Sequence, residues 1–256
     1  MSGRLIDKVA IITGGAGGAG RAASRLFAHE GARVAIFDLQ EEAGVRTVAE
    51  IESAGGDAQF YRTDVSRETD VTAAVATVAN RYGRIDVLFN HAGTLIVKPF
   101  LDTTPEDWRR LLEINLMGMI HTCRAVIPKM LTQGGGTIVN TSSISGLTAA
   151  PLESAYCVSK AACLQLSRAI AVEFRDRNIR CNALGPGFIR TDHGMRELRE
   201  LAAAGEPVSE GDIARLQSRM CEPEEVARAA LFLASAESSF VSGEILIIDN
   251  GAMAAT

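Results

Sequence analysis

The chain has 256 residues, 47% hydrophobic and 22% charged, which is room for one α/β domain with a substantial core. Its 31 acidic and 26 basic residues leave a net charge of −5 without a clustered run of Lys and Arg, so neither nucleic acid nor an anionic membrane is expected as a partner. The opening Met-Ser-Gly-Arg-Leu-Ile-Asp has no apolar signal core, no stretch reaches the roughly 18 apolar residues of a membrane span, and scattered cysteines without a C-x-x-C pair suit reduced thiols in a cytoplasmic protein.

Short apolar runs at 9–13, 33–38, 58–62, 87–90, 137–141, 180–184 and 245–248 read as buried strands. Amphipathic stretches at 19–30, 41–54, 67–82, 105–131, 155–174 and 223–234 read as helices between them. Strand–helix repetition of this kind means a parallel sheet with helices on both faces, wound outward in both directions. No linker or repeat interrupts it, so residues 1–256 are expected to form one domain. The histidines (His29, His91, His121, His193) show no metal-ligand spacing, and no metal site is expected.

The first strand runs into Thr13-Gly14-Gly15-Ala16-Gly17-Gly18-Ala19-Gly20 and then a helix. Glycines let the backbone turn sharply and approach a pyrophosphate, and the helix start offers free N–H groups to its charge. The second strand ends at Asp38, 24 residues past Gly14. A carboxylate there accepts hydrogen bonds from an adenosine ribose and repels a 2′-phosphate, which favours NAD over NADP; capping of the next helix is a compatible role. Thr104-Pro105-Glu106-Asp107 opens the fourth helix with a capping hydroxyl, and Gly134-Gly135-Gly136 ends it. Charge-rich 190–221, with Gly194, Gly205, Pro207 and Gly211, is the least regular segment and a candidate mobile lid.

Tyr156 and Lys160 lie four residues apart, on one face of a helix. A free phenol titrates near 10, and a neighbouring ammonium favours its ionised form. By itself the spacing also suits an aromatic residue beside a snorkelling lysine. Ser142, Ser143 and Ser145 suit a turn after a strand, and Asn115 suits a buried, backbone-paired amide.

Taken together these motifs resemble the short-chain dehydrogenase/reductase family, in its single-domain soluble branch, over essentially the whole chain. Thr13, Gly14, Gly18 and Gly20 match T-G-x-x-x-G-x-G; Asn90-His91-Ala92-Gly93 resembles N-N-A-G; Asn115 sits in Ile-Asn-Leu-Met-Gly; Ser143 precedes Tyr156 by 13 residues; Tyr156-x-x-x-Lys160 is the signature pair; Pro186-Gly187 and Thr191 match the segment around the nicotinamide. His91 and Asn250 depart from the pattern. The resemblance implies a Rossmann-like doubly wound parallel sheet of about seven strands. It implies hydride transfer between a nicotinamide and a secondary alcohol or ketone. Tyr156 is then the general acid/base, and Lys160 lowers its pKa and binds the nicotinamide ribose. Ser143 holds the substrate oxygen, and Asn115 holds a water that links Lys160 to solvent. Cofactor contacts fall to Gly14, Gly18, Gly20, Asp38, Asp64, Val65, Asn90, Tyr156, Lys160, Ile189 and Thr191. Thr94, Leu95, Ile96, Ser145, Leu147, Leu152, Glu153, Phe188 and the 190–221 segment should line a mostly apolar substrate pocket. Glu153 either meets a substrate hydroxyl or amine or is a solvated carboxylate. A homo-tetramer is expected, in part through apolar residues on the helix at 155–174. An NADPH-dependent ketone reductase is the alternative, followed by a non-catalytic dinucleotide-binding regulator.

Overall fold

A computed structural model describes residues 3–206 and 208–255; Met1, Ser2, Pro207 and Thr256 lie outside the described residues. Seven strands form one parallel sheet: β1 (Val9–Thr13), β2 (Arg33–Asp38), β3 (Asp57–Arg62), β4 (Val87–Asn90), β5 (Gly136–Thr141), β6 (Ile179–Pro186) and β7 (Ile245–Ile248). Their order is β3-β2-β1-β4-β5-β6-β7. The chain therefore winds outward from β1 to one edge, returns to β4, and winds outward to the other edge. The crevice where it reverses, beyond the carboxyl ends of β1 and β4, is where folds of this kind bind ligands.

Alternation along the strands builds two cores. Ala10 and Ile12, Val34 and Ile36, and Val87 and Phe89 face one side, against α1 (Gly18–His29), α2 (Glu41–Ser53) and α9 (Pro223–Ala234). Val9 and Ile11, Ala35 and Phe37, and Leu88 face the other, against α3 (Glu68–Tyr82), α5 (Gly118–Thr132) and α6 (Ser154–Phe174). Both faces of each inner strand are covered, so the sequence shows apolar runs there rather than alternation.

Two expectations need correction. The helix expected over 105–131 is interrupted: α4 (Pro105–Leu112) passes through a π turn at Glu113–Met117 before α5 begins. Its start matches the reading, because Thr104 Oγ1 accepts from the Asp107 N–H at 3.2 Å and the Asp107 carboxylate accepts from the Thr104 N–H at 3.0 Å. The segment at 190–221 is built from α7 (Asp192–Ala203) and α8 (Glu210–Gln217) rather than irregular chain. Leu198, Ile213 and Met220 form a small core of their own with Phe188, Met195 and Val208, and a bridge between Ile189 and Cys221 closes its base. Its charges hid that amphipathic pattern. Asn250, where glycine was the pattern, takes the left-handed φ of 52° that asparagine tolerates and donates to Ser218 Oγ at 2.9 Å.

Candidate active site

The cleft at the reversal point has a volume of about 730 Å³ and collects residues from nearly every strand end. Its floor is the glycine turn. Gly14 adopts φ 67°, and its N–H donates to the Phe37 carbonyl at 2.8 Å. A Cβ on Gly20 would stand 2.0 Å from the Gly14 carbonyl oxygen, so only glycine lets α1 start so close under the turn. No side chain caps α1, which leaves its first N–H groups at the cleft.

Asp38 closes this end. Its carboxylate accepts from the Ala16 N–H and the Gln40 N–H, both at 3.0 Å. It thus ties the glycine turn to β2 and steadies the start of α2. Each oxygen keeps a second lone pair toward the cleft that it lines. The β2–β3 register sets Arg62 beside Asp38, a cation that a search among sequence neighbours cannot see.

At the other end, β5 leads directly into Ser142 and Ser143. Ser142 Oγ donates to the Lys160 carbonyl at 2.7 Å, while Ser143 Oγ accepts from the Ser145 N–H at 3.1 Å. Tyr156 and Lys160 line the cleft from α6. Lys160 is 5% exposed, and its ammonium donates to the Thr141 carbonyl at 3.0 Å. Asn115 lies in the π turn, buried, with Oδ1 accepting from the Thr94 N–H and Nδ2 donating to the Thr94 carbonyl, both at 2.8 Å, and to Ser159 Oγ at 3.0 Å. The π turn, a feature frequent at functional sites, carries this amide to the foot of the cleft and clamps the Thr94 loop onto α6.

Residues 14–253 match the family profile described as enoyl-(acyl carrier protein) reductase. The cyclopentanol dehydrogenase of Comamonas sp. (strain NCIMB 9872) is 42% identical over 249 residues, covering 97% of this chain and 98% of the relative. The 3-oxoacyl-[acyl-carrier-protein] reductase of Chlamydia muridarum (strain MoPn / Nigg) is 37% identical over 255 residues, covering 98% and 99%. The solved structure of an NAD+-bound xylitol dehydrogenase superposes with a TM-score of 0.93 at 32% identity, covering 96% of this chain and 99% of that one. The chain belongs to the short-chain dehydrogenase/reductase family. Its activity is that of an oxidoreductase, the class these relatives share.

Most of the residues that the family resemblance singled out meet in the cleft: Gly14, Gly18, Asp38, Asp64, Val65, Ser143, Tyr156, Lys160, Ile189 and Thr191 all line it. Thr191 also caps α7, its hydroxyl accepting from the Gly194 N–H at 3.1 Å. Gly20 and Asn115 lie directly beneath the lining. The Asn90 side chain turns away into the core, donating to Asn140 Oδ1 at 2.9 Å and accepting from Thr122 at 2.7 Å, so it joins β4 to β5 and α5. His91 packs on Phe89 with its Nδ1 3.1 Å from Thr141 Oγ1. Burial, then Lys160 and His193, lower its pKa to about 3, which keeps it neutral.

The electrostatics differ from the family expectation at the phenol. Burial first, then the negative charge that Glu197 shares with Glu153, raise the Tyr156 pKa well above its ordinary value; the Ser143 hydrogen bond works the other way and does not offset them. Burial lowers the Lys160 pKa. The protein's own groups therefore hold the phenol protonated. Polar side chains also enter the cleft near Tyr156. Thr94, His91, His193 and Glu197 line it, whereas Leu95 and Glu153 are buried behind it. Glu197 and His193 carried no motif that could have marked them; α7 brings them in.

Proposed function

We propose that this family member is an NAD-dependent oxidoreductase acting on a secondary alcohol or ketone, with Tyr156 exchanging a proton with the substrate oxygen. The observation that carries this reading is the meeting of Ser143, Tyr156 and Lys160 with the glycine turn and the Asp38 carboxylate in one cleft. The cradle fits a dinucleotide. Gly14 and Gly20 let the turn fold tightly enough that the uncapped N–H groups of α1 lie at the cleft for a pyrophosphate, Asp38 keeps lone pairs for a ribose, and Thr191 and Ile189 close the far end. When bound, a nicotinamide dinucleotide supplies the hydride acceptor or donor.

Proton management belongs to the chain. In the reducing direction the protonated Tyr156 donates to the substrate oxygen. In the oxidising direction it must first lose that proton, which the nearby Lys160 charge assists. Ser143 offers a hydroxyl to the same oxygen as charge develops there. Asn115 holds the Thr94 loop so that this wall stays in place. Incubation with NAD and a panel of secondary alcohols tests the reading: at least one should be oxidised with formation of reduced nicotinamide. NAD binding without turnover across the panel would point instead to a regulator.

Asp38 and the NAD+-bound relative support NAD. Arg62 beside Asp38 favours the second reading, an NADPH-dependent ketone reductase, and comparison of kcat/KM for the two cofactors separates them. We also propose a homo-tetramer. On α6, Cys163, Leu164 and Ile170 are consumed by the chain's own core, but Val172 remains exposed, as do Leu101 and Phe240 elsewhere. Sedimentation at micromolar concentration should give four chains.

A further inference from the structure

Glu197 lines the same cleft as Tyr156, yet the chemistry proposed above requires no carboxyl there. Behind it lies Glu153, one turn before Tyr156 and 2% exposed, with Oε1 buried and facing no N–H or O–H donor. The two carboxyls lie close enough to interact, and one proton between them would join them in a hydrogen bond and satisfy the buried oxygen. Both pKa values lie above the ordinary carboxylate value. Burial is the main cause for each, and for Glu197 the charge and hydrogen bond of Glu153 add to it. The other charged or titratable groups that act on the pair are Arg196 and Glu200 from α7 and Tyr156 and Cys157 from α6. Such a pair shares one proton and behaves as a unit. With Glu197 donating to Glu153, the other oxygen of Glu197 is left as an acceptor in the cleft wall.

An acceptor in that position discriminates by chemistry. An anionic substrate meets a net negative charge. A plain alkyl group covers the acceptor and leaves it unpaired, a cost that rejects analogues lacking the matching donor. We infer that Glu197, positioned by Glu153, is the specificity-determining acceptor for a second hydroxyl on the substrate, so that this enzyme prefers a diol or hydroxyketone over a simple alcohol or an acid. The inference rests on the oxidoreductase reading above and adds the substrate class.

The test compares kcat/KM, with NAD, for cyclohexanol and the cyclohexane-1,2-, 1,3- and 1,4-diols. Wild type should prefer at least one diol by about tenfold or more. Glu197→Leu should lower that ratio by a similar factor. Glu197→Gln should largely retain it, since its amide N–H donates to Glu153 and its carbonyl remains an acceptor. Glu153→Leu should weaken the preference through the diol KM rather than kcat, and Glu153→Gln should restore it. A wild type without diol preference, or an unchanged ratio in Glu197→Leu, would overturn the inference and leave the dehydrogenase reading standing. No oxidation of any panel member by wild type would overturn both.

Discussion

The Lys160 ammonium donates to the Thr141 carbonyl across 3.0 Å and stands 5.7 Å from the centre of the Tyr156 ring. The cation is anchored to the end of β5, beside the phenol ring. Lys160 is thus fixed in place before any substrate arrives, while burial dominates the ionisation of Tyr156.

Removal of the phenol hydroxyl in Tyr156→Phe should lower kcat by about 10²–10⁴-fold, the usual contribution of a positioned proton donor. Because the phenol pKa is raised, alcohol oxidation should speed up as pH rises through neutrality into the alkaline range, whereas ketone reduction, which uses the protonated phenol, should stay level over the same range. Initial rates in both directions across pH check this; parallel profiles would contradict it.

Gly20→Ala places a methyl group where 2.0 Å separates it from the Gly14 carbonyl oxygen. The glycine turn must shift or α1 must tilt. Overpacking of about 1–3 kcal/mol corresponds to a loss of roughly 5–150-fold in dinucleotide affinity if it falls on the bound state. Calorimetric titration with NAD reads it directly.

Neutralising Asp38 should relax cofactor choice. In Asp38→Asn, the ratio of kcat/KM for NADP to that for NAD should rise by at least about tenfold, or ~1.4 kcal/mol. Adding Arg62→Ala should reverse much of that gain, because Arg62 is the cation beside this position. Absence of coupling in this double-mutant cycle would remove Arg62 from the account.

Asn115→Leu strands the Thr94 N–H and carbonyl in a part-buried site. Each unsatisfied group costs about 1–3 kcal/mol, so the midpoint of chemical denaturation should fall clearly and turnover should drop as the Thr94 loop loosens. Stability equal to wild type would show that the clamp carries no load.

Asp86 is buried at the foot of β4. Desolvation raises its pKa, but the Arg84 hydrogen bond, the Val9 N–H at 3.0 Å and Lys8 outweigh it, and the net pKa is lowered. A carboxyl depressed by folding stabilises the protein above its unfolded value near 4, and that contribution disappears as pH falls through the folded value. Asp86→Asn should therefore destabilise the protein at neutral pH and narrow its difference from wild type in acid, as urea melts at several pH values would reveal.

The strands were legible because inner strands of a parallel sheet are apolar on both faces, and runs such as Val9–Thr13 cannot be mistaken for loops. The glycine turn, Asp38 and the Tyr156–Lys160 spacing were legible because local chain geometry limits which residues can stand there. The π turn at Asn115 was not, since a single added residue per turn leaves the apolar period nearly intact. Nor were the ordered helices of 192–217, whose small core is set among charges.

Local order and periodicity are properties of neighbouring residues, so the sequence by itself determined the doubly wound sheet, the glycine turn after β1 and the Tyr156–Lys160 spacing on one helix. Register and burial depend on residues far apart in the chain. Only the tertiary structure decided that Arg62 stands beside Asp38, that Glu197 reaches Glu153 from α7, and that desolvation raises the pKa of the Tyr156 phenol against the Ser143 hydrogen bond.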